Sequence, residues 1–249
     1  MSKRGAFSVI NYKGGTGKTC TLVNLAHALS LKGHRILIID TDPQGSVAYH
    51  LGVTPTKTLY NIIVQNERPE DCLMTPRKNI DLIAANEHLF PAENALHQQP
   101  KREHVLSHKL HPLMAHYDYT FIDCSPSINL MNQNAQLCAP HLLVPVSMDY
   151  MTLLGVKQLI KNAKLLNHHF NATISVSKII PTFYNSRNRK TKHVHESLTR
   201  AFSNHMATPI RTNVSISEAA GYGKSIFEYA PTGTAADDFN QLSKEVLNL

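Results

Sequence analysis

Residues 7–31 run without a break from a short apolar stretch, FSVIN, through a glycine-rich turn, YKGGTGKT, into a helical repeat with Leu22, Leu25, Ala26 and Leu29 on one face. A strand that passes through glycines straight into a helix is the first half of a crossover unit, and crossovers build parallel sheets. Gly33 marks the end of that helix. Further apolar runs follow at 35–40 (RILIID), 80–85 (IDLIAA), 119–123 (YTFID), 141–146 (HLLVPV) and 173–180 (TISVSKII). Helical stretches lie between them, clearest at 153–169. Continuous rather than alternating apolar runs suit strands buried on both faces. The expected fold is therefore α/β, one doubly wound domain over 1–249 with a mostly parallel sheet flanked by helices.

The acids and glycines gather where such a sheet binds ligands, beyond the carboxyl ends of its strands. Asp40 and Asp42 follow ILII, Asp123 follows YTFI, and the glycine turn follows SVIN. The strict phosphate-loop spacing, G-x-x-x-x-G-K-[ST], fails at its first glycine, because Tyr12 stands there. The remainder, KGGTGKT, keeps the working parts of a P-loop NTPase-like site. Gly14, Gly15 and Gly17, with Thr16, let backbone N–H groups turn inward around phosphate oxygens. The helix that starts near Lys18 adds its positive end, with Cys20 in the same first turn. Lys18 reaches the β- and γ-phosphates, and the Thr19 hydroxyl is a Mg²⁺ ligand. A second lysine, Lys13, lies five positions earlier in the same loop and has no role in this scheme.

Composition narrows the class. No run of about 18 apolar residues exists to span a membrane, and the first apolar run is too short for a secretory signal. Cys20, Cys72, Cys124 and Cys138 form no CxxC pair, and the 15 histidines are scattered. We expect reduced thiols in a cytoplasmic protein, with no cysteine or histidine metal site. The formal net charge of +7 favours a polyanionic partner.

The loop has the form of a deviant Walker A motif, and with it the sequence resembles the ParA-type ATPases that position DNA and other cargo, relatives of MinD. The resemblance runs nearly end to end. It covers YKGGTGKTCTLVNLAHALSLKGHRILIIDTDPQGS, YDYTFIDCSPSI, VPVSMDYMTLLGVKQL, IIPTFYNSRNRKTKHVHESL and NVSISEAAGYGKSIFEYAPTGTAADDF. It implies an ATP- and Mg²⁺-dependent ATPase of slow intrinsic turnover. It makes Lys13 the signature lysine, which crosses a dimer to the partner's phosphates. It makes Asp42 the acid that orients attacking water beside the metal, and Asp123 the Walker B acid. Asp40 then supports the metal region or the loop geometry, and Gln44 is a weaker member of the site. Two departures stand out. Cys124-Ser125-Pro126 replaces the family's Pro-Pro, and Asp149 replaces a glutamate near the nucleotide ribose.

The resemblance further implies a homodimer when ATP is bound, non-specific nucleoid DNA as a partner, and a ParB-like or adaptor protein on the cargo that stimulates hydrolysis. Residues 184–200 carry Arg187, Arg189, Lys190, Lys192 and Arg200 against one acid, Glu196, and Arg211 and Lys224 follow. These are the candidate DNA contacts, and an operator-reading extension is not expected before a first strand that begins by residue 7. Three alternatives are weighed against this reading. A MinD-like membrane switch would use the amphipathic end AADDFNQLSKEVLNL, whose acids oppose anionic lipid. A ligase resembling dethiobiotin synthetase would need an acceptor pocket, and an iron–sulfur reductase would need cluster cysteines that this sequence does not set in glycine loops.

Overall fold

The computed structural model describes residues 5–249. The chain runs β1 (Gly5–Val9), α1 (Lys18–Ser30), β2 (Ile36–Asp40), α2 (Ser46–His50), α3 (Leu59–Ile63), β3 (Met74–Arg77), β4 (Ile80–Ile83), α4 (Leu89–His97) and α5 (Val105–Met114). It continues through β5 (Tyr119–Asp123), α6 (Leu130–Cys138), β6 (His141–Ser147), α7 (Thr152–Phe170), β7 (Ser175–Thr182), α8 (Arg189–Phe202), α9 (Val214–Gly221), α10 (Ile226–Tyr229) and α11 (Thr234–Leu247). Seven strands form one sheet in the order β3-β4-β2-β5-β1-β6-β7. All neighbours are parallel except β3, which pairs antiparallel with β4 at the edge.

The expected doubly wound fold is the observed one, and every apolar run named from the sequence supplies a strand. The exception is β3, Met-Thr-Pro-Arg, which has no apolar run to announce it. Pro76 cannot donate to a ladder and is tolerated because β3 is an outer strand.

The period of two along the strands divides the interior into two cores. Leu37, Ile39, Ile122, Leu142 and Val144 face the layer of α3 to α8. Phe7, Val9, Ile36, Ile38, Phe121 and Leu143 face α1, α10 and α11. Ser8, on the first face, is fully buried and donates to the carbonyls of Ala135 and Ala139 at 3.0 and 2.8 Å, so its hydroxyl fixes α6 against the sheet.

The C-terminal helix settles one alternative in physical terms. Phe239, Leu242 and Val246 of α11 are buried against α1, and Lys32 hydrogen-bonds Ser243 across that contact. The apolar stripe that a bilayer would have to receive lies inside the protein. No helix among the described residues is long and apolar enough to cross a membrane.

Candidate active site

Three neighbouring strands, β2, β5 and β1, end side by side. Val9, Asp123 and Asp40 occupy matching register positions at their carboxyl ends. Parallel pairing therefore converts residues more than 100 positions apart into one row, and the loop after β1 closes over it.

Loop 10–17 is held from outside. The buried Asn11 side chain donates to the Pro145 carbonyl at 2.8 Å and accepts from the Lys13 N–H at 3.0 Å. Thr182, at the end of β7, donates to the Thr16 carbonyl at 2.9 Å. Gly15 and Gly17 have φ of 69° and 80°, the left-handed region that other residues enter only with strain. Nothing lies within 4 Å of where a side chain would start at Gly14 or Gly15, so the inner rim of the loop is open to a ligand. Tyr12 shows why a glycine is dispensable at that point. Its half-buried ring packs against the core beneath α6 and α7, with its hydroxyl near Gln136 and Asn162.

The two lysines of the loop differ completely. Lys18 is buried, and its ammonium lies 3.3 Å from the Lys13 carbonyl. Burial holds its pKa below the usual lysine range, while Asp123 and Asp42 pull the other way. Lys13 is half exposed and pairs with Asp149, whose carboxylate also accepts from Ser147 Oγ at 2.7 Å and from the Met151 N–H at 3.1 Å. Burial alone would raise the Asp149 pKa; the hydrogen bonds from Lys13 and Ser147 hold it below its ordinary value. Both oxygens of Asp149 are thus engaged.

The acids divide their labour. Asp40 is fully buried and accepts from the N–H groups of Asp42 at 2.9 Å and Val47 at 3.2 Å, so it shapes the turn. Burial, then repulsion from Asp123, raises its pKa well above the carboxylate range. Asp123 accepts from Thr19 Oγ1 at 2.6 Å, and its other oxygen is buried without a partner among the described residues, as is the Thr16 hydroxyl. Burial pushes the Asp123 carboxyl up to about 7, against the Thr19 hydrogen bond and Lys18. Buried orphan oxygens are rare and call for a ligand. Asp42, only partly buried, lines a crevice of about 280 Å³ with Thr41, Gln44, Glu93, Ser125 and Asn129. The segment 124–127, which lacks the tandem prolines, is held instead by Asn132, whose amide donates to the carbonyls of Ser125 and Ser127 at 2.8 and 2.5 Å.

A second cavity, about 460 Å³, opens beside the loop between Gly17, Cys20, Phe183, Ile210, Val214 and Ile216. Its size and apolar walls suit an aromatic base. Of its lining only Gly17, Cys20 and Arg211 were singled out from sequence; Phe183, at a left-handed φ of 52°, was not. Burial pushes the thiols of Cys20 and Cys138 up to about 12 and raises those of Cys72 and Cys124, so all four stay neutral. No group of three or more His, Cys, Asp or Glu among the described residues is placed to hold a metal by itself.

The model of an AAA domain family, AAA_31, matches residues 5–176. The chain is 34% identical over 244 residues to the sporulation initiation inhibitor protein Soj of Bacillus subtilis, covering 96% of each chain. It is 31% identical over 249 residues to the chromosome partitioning protein ParA of Caulobacter vibrioides, covering 97% of this chain and 93% of that one. The chain belongs to the ParA-type ATPase family. Among solved structures, apo McdA of Cyanothece superposes with a TM-score of 0.88 at 21% identity, over 98% of this chain and 99% of that one, which shows the shared fold.

The ParA-type candidate DNA contacts do not all stand alike. Arg187, Arg189, Lys190, Lys192 and Lys224 are exposed, and Lys190 sits 5.4 Å above the Tyr150 ring. Arg211 is half exposed but paired. Its guanidinium is clasped by Asp238, with contacts of 2.6 and 3.0 Å, and donates to the Thr234 carbonyl at 3.1 Å. That pair ties the segment after β7 to α11, and with Asp238 27 positions away it has no local sequence signature.

Proposed function

We propose that the protein binds ATP with Mg²⁺ in loop 10–17, closes as a homodimer over two nucleotides, and in that state holds non-specific DNA. A ParB-like or adaptor protein on the cargo then stimulates hydrolysis, and the subunits let go. The protein is thereby a partition or positioning switch of the nucleoid.

The observation that carries this reading is the separation of the two loop lysines. Lys18 already fills the interior position, buried beside Asp123. Lys13 is held outside, at the rim, by Asp149. A cation so placed serves phosphates that arrive from beyond the molecule, those carried by a second copy, and acts there as an arginine finger does. Exposed apolar side chains beside Asp149 support closure: Tyr150, Met151 and Leu154 are each more than half exposed, at 67%, 63% and 57%.

Within one subunit, the N–H groups of loop 14–19 bind phosphate oxygens and Lys18 offsets their charge. Thr19 and Asp123 are the residues that would hold Mg²⁺, which when bound neutralises charge on the phosphates. The orphan oxygen of Asp123 fits that task. Asp42, reaching the same region from the crevice, orients the attacking water, while Asp40 fixes the turn that presents it. The base enters the cavity at Cys20 and Phe183. Intrinsic turnover is slow, since a lone subunit lacks the lysine that its partner would bring to the phosphates.

Light scattering with Mg²⁺ and a non-hydrolysable ATP analogue tests the reading. The wild-type chain should dimerise, and Lys13→Ala should bind the nucleotide yet remain single. Single wild-type chains at saturating nucleotide would refute the switch.

A further inference from the structure

The positive charge of this protein is not spread over its surface. Residues 151–202 hold nine of the chain's 25 lysines and arginines and one of its 18 acids, so this stretch carries a net +8 while the rest of the chain is net −1. Only part of that charge lies in the segment from Arg187 onward. Helix α7 contributes Lys157, Lys161 and Lys164, all exposed, and in 19 residues it contains no acid. At about 100° per residue these three and the exposed His168 fall within an arc of about 60°. Along the helix the lysines cover about 10 Å. Among the described residues no carboxylate pairs with any of them.

The stripe has a defined place. The flank of α7 bearing Asn162, Leu165 and His169 lines a groove against α6. The lysines lie off that flank, on the solvent side of α7 away from its buried stripe of Val156, Leu159, Ala163 and Leu166, and α8 packs on α7. At the start of α7, Lys190 of α8 already covers Tyr150. The stripe and the cations of 189–192 therefore sit on two helices that pack on one another. Like charges at i, i+4 and i+7 repel and weaken the helix that carries them. A row with no compensating acid suits a partner that brings the negative charge itself.

We infer that the lysine stripe of α7 is a second lane of DNA-backbone contacts, on the helix that packs beside the cluster at 187–192. This rests on the DNA-binding reading above. A duplex is favoured over an anionic bilayer because no apolar side chain stands within the Lys157–His168 arc to insert among lipids, and the unacidic row matches regularly spaced phosphates without needing base edges.

The test uses the full chain with Mg²⁺ and a non-hydrolysable ATP analogue, a random-sequence duplex, and binding measured across a salt series. Each phosphate contact contributes a slope of about −0.9 in log K against log salt. The triple variant Lys157→Gln, Lys161→Gln, Lys164→Gln should bind at least about tenfold more weakly, with a slope shallower by about 2 to 3. Circular dichroism and thermal unfolding confirm that the variant folds. A folded variant with the wild-type affinity and slope overturns the second lane. A wild-type chain that fails to bind DNA, while Arg187→Ala and the stripe variant alike change nothing, overturns the DNA reading itself. Stripe-dependent binding to phosphatidylserine vesicles but not to duplex assigns the lane to a membrane and overturns the inference.

Discussion

The nucleotide loop and the basic flank are built on opposite principles. Around the loop nearly every functional group is tethered. Asn11 and Thr182 hold the backbone, Asp40 holds the turn at Asp42, and Thr19 meets Asp123 at 2.6 Å. On the flank, Arg187, Arg189, Lys192 and the α7 lysines are exposed and paired with no carboxylate among the described residues. Phosphoryl transfer depends on charges fixed before the reaction begins. Binding to a polyanion depends on charge density and tolerates motion of each side chain. Tethering at the loop fits the first demand, and unpaired charge on the flank fits the second under the proposed function.

That contrast can be broken by substitution. The largest effect is expected at Lys18. Lys18→Ala should weaken ATP binding by about 100-fold, the scale of a lost charged hydrogen-bonding group, and Lys18→Arg should not rescue it, because the buried slot is shaped for a single ammonium. On the flank, Lys192→Arg should leave DNA affinity unchanged. Equilibrium nucleotide binding and a DNA shift assay check the pair, and equal tolerance at both sites would erase the distinction. Next comes Asp42→Ala, expected to slow hydrolysis by about 100-fold or more while the ATP-bound form persists on DNA; single-turnover kinetics would show fast cleavage if another group orients the water. A smaller loss is expected from Thr182→Val, which removes one tether of the loop and should cost about fivefold in nucleotide affinity with no change in the salt slope for DNA.

The smallest effect concerns pH. His27, on α1, lies 2.6 Å from Ser225 Oγ, and burial holds its pKa below the ordinary range, with Glu228 pulling it up and Arg77 down. The unfolded chain takes up a proton near about pH 6.5, whereas the folded imidazole resists it. Stability from this group is complete above that pH and is lost as pH falls through the lowered folded value. Thermal unfolding at pH 7.5 and 5.5 should show a loss on acidification that His27→Gln reduces; an equal loss in both would acquit His27.

Much of this was legible in the chain. Continuous apolar runs gave the six parallel strands, because strands buried on both faces admit little else. Glycines at 14, 15 and 17 with Lys18 and Thr19 gave the loop, because only that spacing lets N–H groups converge. Less was legible where partners lie far apart. Neither the Arg211–Asp238 clasp nor the Lys13–Asp149 pair has a local signature, and β3 carries a proline where a strand is least expected. Asn11 could have been suspected, as a buried amide just before a glycine turn, but its partner at Pro145 could not.

The sequence by itself determined the repeated strand-and-helix order, the identity of the phosphate loop, and the place on the chain where positive charge accumulates at 184–200. These are local properties, fixed by periodicity, by backbone freedom and by composition. Only the tertiary structure decided that Asp40 serves a turn while Asp123 keeps an orphan oxygen, that α11 hides its apolar face, and that the α7 lysines stay exposed. Those outcomes depend on which neighbour the fold brings near, and burial and electrostatics take their values from neighbours in space rather than in sequence.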